Sequence, residues 1–242
     1  MIPLRDTIRS RSIPLINLGI IGLNTLVFLF ELNLSPRGLD QFILTFGMVP
    51  ARLHLTNPLA LLDNPLPLIT LFSHMFMHGG WLHFLSNMWT LFIFGDNVED
   101  RMGAGRYFVF YILAGLASGL LQALVAPGSR IPAIGASGAI AGVLGAYFIL
   151  YPGGRVLTLI PIFIFPWFVE IPAIIYLGFW FVSQLFSGLA SLNMPAEASM
   201  GGVAWWAHIG GFLFGILAYR FFLRRIQPVY HSQFPRFPED SF

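Results

Sequence analysis

Long apolar segments are the feature that most constrains how this chain can fold. Six of them lie near 14–32, 81–98, 107–126, 134–151, 171–190 and 205–223. Each has roughly 15–20 residues, and a helix of that length comes close to crossing the ~30 Å of hydrocarbon in a bilayer. Only 10% of the 242 residues are charged, whereas soluble proteins have about 25%. We therefore predict an all-α, polytopic membrane protein that folds as a six-helix bundle.

The predicted spans divide the chain into three regions. Residues 1–13 form a cytosolic N-terminal segment, 14–225 the membrane domain and 226–242 a cytosolic tail. The first loop, 33–80, is too apolar for a simple linker, so we expect part of it to lie in the membrane interface. Residues 156–172 are also apolar, but three prolines and a glutamate interrupt them. Proline breaks a helix interior, which argues against a seventh spanning helix.

The arginines predict the orientation of the bundle. All 13 basic residues are arginine. If the N-terminus is cytosolic, ten of them lie inside, and the three outside are Arg37, Arg52 and Arg130. This is a strong positive-inside bias, so both termini are predicted to be cytosolic. The short soluble regions and the lack of a transit-peptide signature favour the plasma membrane of a bacterium.

Four polar side chains within the predicted spans are candidates for function. His83 and Asn87 lie at i and i+4 in the second span, Ser137 begins the fourth, and His208 lies in the sixth. Polar groups are expensive to place in a membrane and by default suggest function, although serine and asparagine can also serve to pack helices together. Because these three spans run in the same direction, all four residues are expected near the outer ends of their helices, at similar depth.

Glycine spacing indicates which helices carry these residues into contact. The fourth span has a GxxxG motif at 138–142 and the sixth has one at 211–215, and such motifs let helix backbones approach closely in lipid. Packing along these glycines would bring Ser137 within reach of His208. The 15 residues from Ser137 to Tyr151 span only about 22 Å, which places the serine below the outer surface. A hydroxyl beside an imidazole is the arrangement of a nucleophile and its general base.

Three separated segments carry motifs that point to a known family. They are "HGGWLHFLSNMWTLFIFGDNVEDRMG" (78–103), "GASGAIAGVLGAY" (135–147) and "AHIGGFLFG" (207–215). In these motifs and their order the chain resembles the rhomboid family of intramembrane serine proteases. The resemblance implies a rhomboid-like six-helix bundle that cleaves transmembrane segments of other proteins within the bilayer, with no metal or organic cofactor. Nothing in the charge balance suggests a nucleic-acid partner.

The resemblance also implies roles for the four polar residues. Ser137 matches the family's nucleophile and His208 its general base. Asn87 and His83 match the residues that help the backbone N–H of Ser137 to stabilise the oxyanion. The substrate is expected to enter sideways from lipid, past the fifth span, and the loop 191–204 is flexible enough to act as a lid over the site.

The motifs contain two auxiliary candidates and one departure from the family pattern. His78 and Gly135 occupy motif positions whose role is less defined. Many rhomboids carry an aromatic residue four positions after the nucleophile, stacked on the catalytic histidine, but here that position is Ala141. Three aromatic residues are candidates to replace it: Trp205, Trp206 and Phe179.

Two other functions stay open at this point. A non-proteolytic rhomboid-like chaperone would bind membrane spans without cutting them. A metal transporter would use histidines as ligands, and His74 and His78 have the i, i+4 spacing that suits a metal. The chain lacks a His-Glu-x-x-His motif, and polar packing at the start of the second span accounts equally well for these two histidines.

Overall fold

Eight α-helices and one small sheet make up the described part of the chain. The computed structural model describes residues 1–53, 64–162, 165–192 and 203–224. The helices are α1 (Leu15–Leu32), α2 (Pro36–Phe46), α3 (Leu66–Ser73), α4 (Trp81–Met102), α5 (Ala104–Val125), α6 (Ser137–Leu150), α7 (Ala173–Leu192) and α8 (Trp205–Phe222). The strands are β1 (Ile2–Asp6), β2 (Arg155–Ile162) and β3 (Phe165–Pro172), and 3₁₀ turns occupy Pro50–Leu53 and His74–Phe76.

All six predicted spans coincide with helices, namely α1 and α4 to α8. Of these, α1, α5 and α7 are long and apolar enough to cross a membrane unaided. Helix α6 is apolar but has only 14 residues, which corresponds to about 21 Å of helix. Three helices thus meet the requirements for a membrane span, and the count of six spans stays a prediction. The predicted lid, for the most part, and the predicted tail lie outside the described residues.

The all-α prediction needs a correction, because the described residues include a three-stranded antiparallel sheet. Strands β2 and β3 form a hairpin that pairs from Arg155↔Pro172 to Ile162↔Phe165, and β1 pairs with β2 on its other side. The prolines that exclude a helix from 156–172 are tolerated here. Pro161 lies beyond the part of β2 that pairs with β1, so it removes no hydrogen bond from the centre of the sheet.

Helix α6 is the centre of the bundle and packs directly on α8. All residues from 138 to 147 are buried. A methyl group on Gly211 would overlap the carbonyl oxygen of Gly138, and one on Gly145 would overlap the carbonyl oxygen of Phe212. The two backbones therefore touch, which confirms the packing predicted from the GxxxG motifs.

The N-terminal segment is tied to the helices at one end of the bundle. The Asp6 carboxylate, at the end of β1, accepts hydrogen bonds from the Tyr147 hydroxyl (2.6 Å) and the Asn97 side-chain amide (2.9 Å). Glu99 accepts hydrogen bonds from the backbone N–H groups of Ile16 and Asn17, which satisfies orphan donors at the start of α1. These contacts join the N-terminal segment and α1 to the C-terminal ends of α4 and α6.

Candidate active site

The starts of α6 and α8 place Ser137 beside His208. Ser137 is the first residue of α6, and His208 lies in the first turn of α8. The His208 Nε2 atom is 2.8 Å from the Ser137 Oγ atom, which is hydrogen-bonding distance. Both side chains are half-buried. The first N–H groups of a helix have no partner within it, so the Ser137 N–H is available to a ligand at the same position.

A third residue, Gln184 of α7, lies within hydrogen-bonding distance of the other nitrogen of the imidazole. The His208 Nδ1 atom is 2.8 Å from the Gln184 Oε1 atom. Gln184 is buried, with 6% of its surface exposed. The sequence analysis did not select this residue. A lone amide in an otherwise apolar span is the signal that would have found it, since such a group is expensive to bury in a membrane.

Two tryptophans pack around His208, where the resemblance implies a single aromatic residue four positions after Ser137. The Trp180 ring lies 5.9 Å from the imidazole, tilted by 33°, and the Trp205 ring lies 6.2 Å away, edge-on. Trp205 was one of the three predicted candidates. Phe179 is not near the histidine, because it points outward with 63% of its surface exposed, and Trp206 packs instead against Gly188. The sequence analysis selected its neighbour Phe179 and not Trp180. A shift of one residue along a helix changes which side chain faces inward.

Helix α4 contributes Asn87 and His83 to the same site. Asn87 is 6% exposed, and its side-chain NH₂ group has no hydrogen-bond partner among the described residues. A buried donor without a partner is unfavourable, and a ligand that accepts a hydrogen bond from this NH₂ group would remove that penalty. The His83 Nδ1 atom accepts a hydrogen bond from the Gly79 N–H (3.3 Å), so the proton of the neutral ring lies on Nε2.

Gly135 and His78 lie next to His83. Gly135 has a φ angle of +125°, which favours glycine. A methyl group there would lie 2.7 Å from His83 Nε2, so glycine leaves room for this ring. His78 lies behind His83, with ring centroids 5.2 Å apart, and its backbone N–H donates to the Glu31 carboxylate. His78 therefore supports His83 from outside the cavity.

A cavity of about 840 Å³ connects these side chains. Its lining includes residues of α4, α6, α7 and α8: His83, Asn87, Ser137, Ile140, Trp180 and His208. Its size is within the range of ligand-binding pockets, about 300–1,000 Å³. The arrangement combines a hydroxyl, a base and hydrogen-bond donors around one space large enough for a peptide segment.

The histidines do not form a metal site in the part of the chain that the structure describes. His74 is buried and its Nδ1 atom lies 2.9 Å from the carbonyl oxygen of Thr70, in the preceding turn. No group of three histidine, aspartate or glutamate side chains that could hold a metal ion occurs among the described residues. The i, i+4 spacing of His74 and His78 is thus explained by a helix-end contact and by packing.

Comparisons with known proteins agree on one family. The model of the family described as "Rhomboid domain" matches residues 66–225. The chain is 29% identical to the yeast (Saccharomyces cerevisiae) "Rhomboid protein 1, mitochondrial" over 156 residues, which are 62% of this chain and 40% of that protein. It is 29% identical to the human "Presenilin-associated rhomboid-like protein, mitochondrial" over 208 residues, which are 82% of this chain and 46% of that protein.

A plant relative is more similar over a shorter stretch. The chain is 39% identical to the Arabidopsis thaliana "RHOMBOID-like protein 5" over 77 residues, 31% of this chain and 25% of that protein. The chain thus spans less than half the length of each of these relatives. Two of the three printed names place the relative in mitochondria, so the names do not support the bacterial plasma membrane predicted from sequence.

Proposed function

The chain belongs to the rhomboid family of multi-pass integral membrane proteins, and we propose that it is a serine endopeptidase that cleaves transmembrane segments of other membrane proteins. The observation that carries this proposal is the 2.8 Å contact between His208 Nε2 and Ser137 Oγ. The proposal includes six membrane spans, with α4, α6 and α8 held in the bilayer by α1, α5 and α7, the three helices that are both long and apolar enough to cross it. A short α6 surrounded by protein leaves its first residue below the membrane surface and beside the cavity.

The proposed reaction begins with proton transfer between the two residues. His208 Nε2 takes the proton of the Ser137 hydroxyl while Oγ attacks a peptide carbonyl carbon. The imidazolium then gives this proton to the leaving nitrogen, and the C–N bond breaks to leave an acyl-enzyme. Water, deprotonated in turn by His208, hydrolyses the ester and restores Ser137.

We assign the stabilisation of the oxyanion to three donors from residues that line the cavity. They are the backbone N–H of Ser137, the side-chain NH₂ of Asn87 and the Nε2–H of His83. Donors that are already oriented stabilise negative charge strongly in a site shielded from bulk water. The unpartnered NH₂ of Asn87 supports this role, because an oxyanion would satisfy it only as the reaction proceeds.

The proposed substrate reaches the cavity from lipid, past α7. The outer surface of this helix is apolar and exposed, as at Phe179 (63%) and Phe186 (71%), so lipid or an apolar substrate helix can cover it. Trp180 of the same helix lines the cavity. Displacement of α7 would therefore open a direct path from the bilayer to Ser137.

Labelling of the serine tests the proposal. In the wild-type protein in liposomes, a fluorophosphonate should label Ser137 covalently, and a transmembrane substrate should be cleaved in the presence of a chelator. Ser137→Ala should abolish both signals without changing thermal unfolding. Ser191→Ala is the matched control, because among the described residues the Ser191 hydroxyl donates to the Gly188 carbonyl of its own helix.

Each alternative function predicts a different result. A wild-type protein that is not labelled and does not cleave any transmembrane substrate offered, yet binds such segments, would be a non-proteolytic rhomboid. Activity that disappears with chelation would indicate metal chemistry. Either result would refute the serine mechanism.

A further inference from the structure

The side-chain amide of Gln184 has a defined orientation. Its Nε2 atom lies 3.1 Å from the carbonyl oxygen of Trp180 and 2.9 Å from the Ser183 hydroxyl. A carbonyl oxygen can only accept a hydrogen bond, so the NH₂ group of the amide must face Trp180. The Oε1 atom is then the atom that faces His208, and it also can only accept.

This orientation determines the tautomer of His208. Because the Gln184 Oε1 atom accepts, the Nδ1 atom of His208, 2.8 Å away, must carry the proton. A neutral imidazole has one N–H and one lone pair, so the lone pair lies on Nε2, which faces Ser137. The ring is thereby prepared to accept the serine proton.

We propose that Gln184 is a positioning residue that holds His208 in its proton-accepting tautomer and orientation. This inference rests on the proposed protease function. Gln184 takes the place that an aspartate has in a Ser-His-Asp triad, but it is neutral. When His208 becomes an imidazolium, Nδ1–H keeps its acceptor and no buried charge has to be maintained between turnovers.

The same contact links the catalytic pair to the position of α7. Trp180, Gln184 and Gly188 lie on one face of this helix, at spacings of four residues. A methyl group on Gly188 would meet Ile209 and Trp206 of α8 at 3.3 Å, so this glycine permits the close approach at which the 2.8 Å hydrogen bond forms. A substrate that displaces α7 would break the hydrogen bond, and α7 must return to α8 before His208 can act.

Three substitutions of Gln184 separate its acceptor atom from its bulk. Gln184→Leu removes the acceptor and Gln184→Asn withdraws it by one methylene, whereas Gln184→Glu keeps an oxygen within reach of Nδ1. We expect the first two to lower kcat about 10- to 100-fold, the effect of losing one hydrogen bond to a charged group. KM should change less than about threefold, and Gln184→Glu should retain most of the wild-type kcat.

The tautomer itself supplies a readout that a merely structural role would not change. In ¹⁵N NMR of histidine-labelled protein, wild-type His208 should show a protonated Nδ1 and an unprotonated Nε2. In Gln184→Leu this preference should be lost while thermal unfolding stays close to wild type. Gln122→Leu is the matched control, because Gln122 also bonds to α8, but to the backbone N–H of Ala207. It should leave the tautomer unchanged.

The outcomes distinguish this inference from the proposed function. If wild type is labelled and cleaves, but Gln184→Leu has wild-type kcat and tautomer, the positioning role is wrong and the protease stands. Equal loss of kcat in Gln184→Leu and Gln184→Glu would also refute it, since an acceptor oxygen kept beside Nδ1 would then give no benefit. A wild-type protein without labelling or cleavage would overturn the protease function itself.

Discussion

At the scale of single residues, the proposed chemistry uses groups that are neutral before the reaction starts. Ser137, His208, Gln184 and Asn87 carry no charge in the resting site, and the two hydrogen bonds of the imidazole go to neutral partners. Isolated charges are very unfavourable in a low-dielectric interior. A neutral set can therefore lie within a membrane domain, and charge develops only while a substrate is present.

Asn87 is predicted to act in the transition state and not in substrate binding. Asn87→Ala should lower kcat about 10²–10³-fold, the usual effect of removing one oxyanion donor. Its effect on KM should be small, because the ground-state carbonyl carries little charge. Steady-state cleavage of a transmembrane substrate in liposomes measures both constants.

The control for this substitution is Asn33→Ala at the exposed end of α1, where the amide bonds to the carbonyl of Leu29. It should have wild-type kcat and KM. A rise in KM without loss of kcat in Asn87→Ala would assign this residue to substrate binding instead.

At the scale of elements, the contact between α6 and α8 determines whether the proposed catalytic pair forms. Gly211→Ala places a methyl group against the Gly138 carbonyl oxygen, so the helices must separate. Overpacking of this kind typically destabilises by about 1–3 kcal/mol. We expect a lower unfolding temperature and a marked loss of fluorophosphonate labelling at Ser137.

Gly22→Ala on α1 is the matched control, because nothing lies within 4 Å of a methyl group at this position. It should keep both the unfolding temperature and the labelling. Gly211→Ala protein that is labelled at the wild-type rate would show that the helices can separate without loss of the pair.

Helix α7 is predicted to move when a substrate enters. The chain has no cysteine, so Ser86→Cys on α4 combined with Phe179→Cys on α7 supplies the only two thiols for a cross-linker. A short linker should block cleavage of transmembrane substrates, and longer linkers should restore it. Labelling of Ser137 by a small fluorophosphonate should continue throughout, because α7 remains packed on α8. Full cleavage with the shortest linker would exclude entry past α7.

At the scale of the whole molecule, the sheet and Asp6 join the N-terminal segment to parts of the chain that are distant in sequence, at one end of the bundle. Strand β1 pairs with β2, and Asp6 bonds to both α4 and α6. Burial raises the pKa of the Asp6 carboxyl above its ordinary value of 3.8, although a hydrogen bond from Tyr147 opposes this effect. Asp6 therefore favours folding most when it is protonated.

This shift predicts how stability depends on pH. A raised pKa in the folded state means that the contribution of Asp6 is fully present below pH 3.8 and decreases as the pH rises through the folded-state pKa. Asp6→Asn keeps an acceptor for Tyr147 but removes the titration. Its unfolding temperature relative to wild type should therefore be higher at pH 7 than at pH 4. A difference that is constant across this range would contradict the shift.

Much of the molecule follows from local patterns in the sequence. Apolar length located the helices, and the GxxxG spacing predicted which two of them touch. Ser137 and His208 could be paired from the order of the spans and from these glycines. Span order places the two residues at similar depth, and the glycine spacing marks one face of each helix. The sheet could not be predicted in this way, because Ile2–Asp6 and Arg155–Ile162 are far apart in the chain and carry no shared pattern. Their pairing depends on where the helices place them.

The sequence by itself therefore determined the membrane class, the helical segments and the two residues proposed for catalysis, since each depends on composition or on spacing within one helix. Only the tertiary structure decided which residues surround His208. Gln184 and Trp180 reach the imidazole because α7 packs on α8 in one rotational register, and Phe179, one residue away, faces outward. That register is set by side-chain contacts between α7 and α8, and no residue spacing within one helix encodes it.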